Sequence, residues 1–214
     1  MTQSPIQIDG RWYVLATGAP AEENPQTLKR DALFGCFDRH GDIMNIRRLS
    51  AADATAFRAL RLAALLDKPE AFVTSHVEEK DQPLAHFESR LAERPGHAVF
   101  GAFDGDTLVG MAGLARATLL QLAHKANVWG MYVAEGARGH GVARALLQAA
   151  LAHARATPGV AKVTLSVDSQ NVAAIALYES LGFVVFAREA DAVRLHGQSR
   201  DDLQMHLRLD GAGP

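Results

Sequence analysis

The sequence predicts an α/β protein built on a mixed sheet with helices on both faces. Three observations lead there. Short apolar runs bounded by turn signals interleave with helical-period segments, in the order strand, helix, helix, three strands, helix, strand, helix, two strands. Strands joined by a tight turn such as Gly105-Asp106 imply antiparallel neighbours, whereas strand–helix–strand units imply parallel ones. A glycine-rich turn, Gly139-His140-Gly141, separates an apolar strand from a long helix.

The elements follow in order. Residues 1–43 read as an N-terminal extension. Within it, Ile6–Gln7–Ile8 and Arg11–Trp12–Tyr13 flank Asp9-Gly10, a hairpin signal; 16–24 reads as loop and 36–41 as turn. The main domain covers 44–210, and 211–214 is a tail. Its first strand is 46–49. Ser50 is placed to cap a helix over 51–66, with Phe57, Leu60 and Ala64 on its apolar stripe, and Lys68-Pro69 ends it. A loop or broken helix at 70–81 and a helix at 83–93 come next. Strands follow at 97–104, 107–115 and 128–134. The helix over 138–156 places Leu147, Ala150, Leu151 and Ala154 on one face. Thr157-Pro158-Gly159 stops it. A strand at 161–167, a helix at 172–181 and strands at 183–187 and 201–209 complete the chain.

Composition narrows the function. The chain has 214 residues, 48% hydrophobic and 21% charged, which suits one domain with an appendage. A net charge of −2 argues against a nucleic-acid partner held by bulk charge. Cys36 is the only cysteine, so neither an internal disulfide framework nor a cysteine-built zinc site is expected, and no metal is called for. No apolar run approaches the roughly 18–20 residues of a membrane span. Residues 1–10 lack a basic region followed by an apolar one, so a cytoplasmic location is the expectation.

The turn before the long helix carries the chemistry. A helix N-terminus presents unpaired N–H groups and the positive end of the macrodipole, and Gly139 and Gly141 let an anion approach the backbone. A dinucleotide fingerprint would need a further glycine where Arg144 stands, and a P-loop would need Gly-Lys-Ser/Thr where Val142-Ala143 stands. The pattern Arg138-x-x-Gly141-x-Ala143 fits the pyrophosphate loop of an acyl-CoA-dependent transferase position by position. A second motif runs from Asn171 through Tyr178 to Gly182-Phe183. Asn171 and Tyr178 are about two helical turns, roughly 10 Å, apart and share a face.

With both motifs in hand, 45–209 resembles the GNAT superfamily of N-acetyltransferases. Glu135 stands where many relatives have proline, which alters the turn but not the loop. The resemblance implies a mixed, mostly antiparallel sheet of six to seven strands. It implies acetyl-CoA as co-substrate and direct transfer of acetyl to a primary amine of a small molecule or peptide. The strands 128–134 and 161–167 would splay apart. The pantetheine arm would lie in the gap along Met131, Tyr132 and Val133, anchored by Asn171. The pyrophosphate would sit on Gly139, His140, Gly141, Val142 and Ala143, with Arg138 nearby. A backbone amide near Met131 would stabilise the oxyanion, and Tyr178 would protonate the departing thiolate. Glu78, Glu79, His76, Asp168 or a water chain would take the amine proton, with Glu78 named as base.

Each residue also has a plainer reading: Asn171 as a helix cap, Tyr178 as a core ring, Glu78 and Glu79 as a solvated pair. A longer-chain acyltransferase and a non-catalytic acyl-CoA-binding regulatory module are the alternatives. No nucleic acid or membrane partner is expected, and a homodimer using the N-terminal extension is left open.

Overall fold

The computed structural model describes residues 43–209 together with three short upstream strands. Of these, β1 (Ile6–Ile8) and β2 (Arg11–Tyr13) pair antiparallel, with Ile6 opposite Tyr13 and Ile8 opposite Arg11, the hairpin expected of that segment. The loop at 16–24 and the tail at 211–214 lie outside the described residues. The third strand, β3 (Phe34–Phe37), takes up Cys36, which the sequence suggested as a turn. β3 pairs with β4 (Ile43–Arg48).

Beyond β4 the chain forms a 3-10 turn (Ala51–Asp53), α1 (Ala54–Asp67), the single-turn α2 (His76–Glu79), α3 (Leu84–Leu91), β5 (His97–Asp104) and β6 (Thr107–Arg116). Then come β7 (Lys125–Val133), α4 (Val142–Ala156), β8 (Lys162–Asp168), α5 (Val172–Glu179), β9 (Val184–Leu195) and β10 (Gln198–Arg208). The strand order is β3-β4-β5-β6-β7-β8-β10-β9, so seven strands from β4 onward form the sheet and β3 extends its edge. All neighbours are antiparallel except β7 and β8.

Period-two alternation on the strands feeds two apolar layers. On β5, Val99 and Phe103 face α1 and α3, where they meet Phe57, Ala64 and Phe87. Ala102 faces the other way, to Val142 and Leu146 of α4. The same α4 stripe continues through Leu147, Ala150, Leu151 and Ala154 onto Val163 and Leu165 of β8, with Tyr178 and Phe183 in the same cluster. Thus α1 and α3 cover one face, and α4 and α5 the other.

Several boundaries differ from the sequence reading. The predicted helix start at 138 moves to Val142, because Gly139 and Gly141 hold φ of 83° and 79° and keep the chain out of the helix. β7 begins three residues earlier than expected. The strands predicted at 183–187 and 201–209 extend into one long hairpin across 184–208. Its outer part has no sustained apolar alternation and no buried residue, so periodicity could not reveal it. The left-handed pair His196 (φ 50°) and Gly197 (φ 78°) makes the tight turn.

Candidate active site

The parting of the sheet begins with a limited register. β7 and β8 pair only through Lys125–Lys162, Ala126–Val163 and Asn127–Thr164. From Val128 onward β7 has left β8, while β8 remains paired to β10 along its whole length. At the same point β7 bulges. Met111 faces Tyr132 and Gly113 faces Trp129, so Gly130 and Met131 together oppose Ala112 alone. Gly130 takes φ of 64°, a left-handed conformation that costs glycine nothing and a side-chain-bearing residue about 1–2 kcal/mol. The bulge releases Met131 from the ladder where the strands diverge.

Below the opening, β7 runs through Val133 into a 3-10 turn (Glu135–Ala137) and the glycine loop. Gly141 is the N-cap of α4, and the first intrahelical bond runs from the Ala145 amide to the Gly141 carbonyl at 3.0 Å. The amides of Val142, Ala143 and Arg144 therefore precede the ladder, and the first turn contains no acidic residue. A depression of about 210 Å³ lies over them, lined in part by Val133, Gly139, Gly141, Ala143, Arg144 and Leu177. His140 is half-buried within the loop. Such a terminus suits a phosphate group.

Arg138 also lines that depression, with two of its three guanidinium nitrogens engaged by the protein. Its Nε donates to the Val133 carbonyl at 2.9 Å, its Nη2 pairs with Asp67 at the end of α1, and its guanidinium lies over the Tyr132 ring. The Tyr132 hydroxyl donates to the same Asp67 oxygen at 3.0 Å. The hydrogen bond from Arg138 holds the Asp67 carboxyl below its ordinary range. Burial, reinforced by Asp67, pushes the Tyr132 hydroxyl up.

Across the gap from β7, α5 presents Tyr178. Asn171 caps this helix, its Oδ1 accepting from the Ala174 amide at 3.1 Å. Two turns later Tyr178 packs against Phe183 with ring centroids 5.9 Å apart. Its hydroxyl donates to the Met131 sulfur at 3.6 Å. The side chain is 7% exposed, and burial raises its pKa to about 12. Tyr178 and Met131, more than forty residues apart in sequence, thus meet at the mouth of the opening.

The four side chains considered as bases are placed differently. Glu78 caps α2: its Oε2 accepts from the Ser75 amide at 2.7 Å and from the Ser75 hydroxyl at 2.6 Å, which holds its pKa down. That exposed carboxylate has capping work and leaves the role of base unsupported. His76, at the start of the same helical turn, is half-buried. Glu79 is 3% exposed and grips Arg61 at 2.8 and 3.1 Å. Burial opposes its charge, but hydrogen bonds from Arg61 and Thr74 and the positive charges of Arg61 and Arg90 outweigh it and hold its pKa at about 2. Asp168 is 4% exposed, bound to Arg200 at 2.5 Å and to the Gln170 amide at 2.8 Å. Among the described residues no group of three or more His, Cys, Asp or Glu is placed to hold a metal ion, and no helix is long and apolar enough to cross a membrane.

A family model described as acetyltransferase (GNAT) family matches residues 59–183, from the middle of α1 to the residue before β9. The chain belongs to the GNAT acetyltransferase family. Solved structures bear the same fold. A GNAT acetyltransferase from Streptococcus pneumoniae superposes with a TM-score of 0.72 at 19% identity, covering 78% of this chain and 99% of its own. The yncA protein of Salmonella typhimurium, solved with its cofactor acetyl-CoA, gives 0.69 at 27% identity over 80% and 96%. A ribosomal-protein-alanine N-acetyltransferase from Brucella melitensis gives 0.64 at 26% identity over 77% and 99%. A search of curated protein sequences returned no match.

In this GNAT chain Met131 meets Tyr178, and Leu177, the neighbour of Tyr178, lines the depression over the glycine loop. The sequence reading missed the Asp67–Arg138–Tyr132 node, whose members lie up to 71 residues apart and share no motif. It also missed Arg61, which had a readable signal: a charged residue on the apolar stripe of α1, four residues from Phe57.

Proposed function

We propose that this GNAT protein transfers an acetyl group from acetyl-CoA directly to a primary amine of a small molecule or peptide. The observation that carries the reading is the Tyr178 hydroxyl, held 3.6 Å from the Met131 sulfur where β7 and β8 part. The gap leaves one edge of β7 without a strand partner, and an extended pantetheine amide can use such an edge as another strand would. Asn171, at the head of α5, would anchor the arm. The Val133 carbonyl already accepts from Arg138, which directs the arm's remaining contacts toward Met131. The pyrophosphate would rest on the amides of Val142 and Ala143 beside Gly139, His140 and Gly141.

The acceptor nitrogen attacks the thioester carbon, and the carbonyl oxygen takes up negative charge. The bulged backbone at Met131 supplies an amide donor for it, a contribution of about 3–4 kcal/mol where such donors have been removed from other enzymes. The carbon–sulfur bond then breaks, and the thiolate receives the Tyr178 proton. An ordinary thiol titrates near 8.5, well below a tyrosine at about 12. Transfer therefore depends on the thiolate forming in the same apolar cleft, where burial raises its own proton affinity. Glu78, Glu79 and Asp168 are all engaged in caps or ion pairs, which leaves His76 or a water chain to take the amine proton.

The test is thiol release from acetyl-CoA across a panel of amines, amino acids and N-terminal peptides, with acetyl-CoA binding measured by calorimetry. Binding with amine-dependent turnover supports the reading. Absence of acetyl-CoA binding overturns it.

A further inference from the structure

The side of the β7 bulge opposite Tyr178 is walled by charge. Arg61 of α1 is 5% exposed. Its Nε and Nη2 are taken by Glu79, and Nη2 also meets the Thr74 hydroxyl at 2.7 Å. Arg90 of α3 reaches the same carboxylate at 3.3 and 3.4 Å. Two guanidinium groups thus share one carboxylate, leaving a surplus of positive charge. Arg61 stacks over Phe72 at 4.4 Å and Arg90 stands over the Trp129 ring at 5.9 Å.

The remaining nitrogen of Arg61 decides what this surplus is for. Nη1 points at the bulge, 4.0 Å from where a Cβ on Gly130 would lie. Among the described residues no hydrogen bond engages it. A guanidinium that only tied α1 to α2 and α3 would be complete with its fork on Glu79. Here a second arginine is added, and a donor faces the backbone beside the residue that would hold the thioester. Removing positive charge from water is costly unless an anion meets it.

We propose that the acceptor is a small amine that also carries an anionic oxygen group, such as a carboxylate, received by Arg61 Nη1 and Arg90. The inference rests on the acetyltransfer reading and specifies its substrate class. Trp129 and Phe72 would flank the acceptor's apolar part. With the anion at Nη1, the amine is delivered to Met131 from the face opposite Tyr178, so nucleophile and proton donor approach the thioester from different sides.

The test uses the full-length protein and matched acceptors with and without the carboxylate: L-leucine against isoamylamine, L-phenylalanine against 2-phenylethylamine, and ω-amino acids against the corresponding alkylamines. The carboxylate-bearing members should be favoured in kcat/KM by about tenfold or more, which corresponds to about 1.4 kcal/mol. Arg90→Gln should bring the ratio down to about threefold or less through KM, and Arg90→Lys should restore most of it. A purely structural Arg90 would lower the thermal midpoint and depress both members of each pair alike, leaving the ratio unchanged. Equal or reversed preference in the unmodified protein, or no turnover of any carboxylate-bearing member, overturns the inference. If the plain amines are acetylated well, the acetyltransfer reading stands while this one falls. If acetyl-CoA is not bound at all, the failure belongs to the acetyltransfer reading.

Discussion

Asp67, the last residue of α1, forms an ion pair with Arg138, the residue that opens the glycine loop. The pair spans the end of β7 and is braced by the Tyr132 hydroxyl on the same carboxylate oxygen. The arginine that the resemblance placed near the pyrophosphate thus braces the loop while lining the depression over it. Asp67→Asn and Arg138→Gln should each raise KM for acetyl-CoA severalfold with little change in kcat. The double variant should be no worse than the poorer single one, because both remove the same contact. Steady-state kinetics on the four-member cycle provides the check, and additive losses would show that Arg138 acts on the cofactor independently of Asp67.

Tyr178→Phe removes the hydroxyl and leaves the ring against Phe183. Acetyl-CoA affinity should be nearly unchanged while kcat falls on the order of 10²-fold or more, the range for a general acid. Because burial holds the hydroxyl at about 12, the unmodified enzyme should show no loss of kcat from this group as pH rises to 10. A pH–rate profile falling with an apparent pKa near 9 would have to come from another group.

Glu79→Gln should destabilise the fold at neutral pH by about 3–5 kcal/mol, the usual cost of leaving buried charge unpaired. The sign of the pH effect follows from its lowered pKa. An acid held at about 2 in the folded state contributes stability that is fully present above the unfolded value near 4.3. That contribution is lost as pH falls toward 2. Denaturant midpoints measured from pH 7 to pH 2 should therefore decline more shallowly in the variant over that window.

Gly141→Ala tests the loop. Its φ of 79° is strained for alanine by about 1–2 kcal/mol, and the added methyl lies beside the amides that open α4. Acetyl-CoA binding by calorimetry should weaken markedly. Gly105→Ala is the control: that residue has φ of 55° in the β5–β6 turn with open space around it, so it should show a comparable stability loss with binding intact.

The fold was legible where burial writes a period into the chain. The α1 and α4 stripes each bury one face and stand in the sequence as such, and the β5–β6 hairpin shows as two apolar runs around Gly105-Asp106. The outer β9–β10 hairpin buries neither face, so nothing there distinguishes strand from loop. The glycine loop and Tyr178 could be read because each is local: two glycines before a helix, and one ring on a helix that ends at Gly182. Glu78 was harder to read, because an acidic residue three positions after Ser75 reads equally as a base or as a capping partner, and its hydrogen bonds to Ser75 show the capping role. Gly130 was the overlooked sign, since a lone glycine inside a strand often marks a bulge.

The short pairing of β7 with β8 divides the sheet unequally. β8 is laced to β10 from Lys162 to Asp168 but to β7 only from Lys125 to Asn127. One seam thus separates a leaf containing β4 to β7 from a leaf containing β8 to β10, and Met131 and Tyr178 stand on its two lips. A cofactor lying in that seam would serve as a temporary stitch, so loading the enzyme and knitting its two leaves together would be a single event.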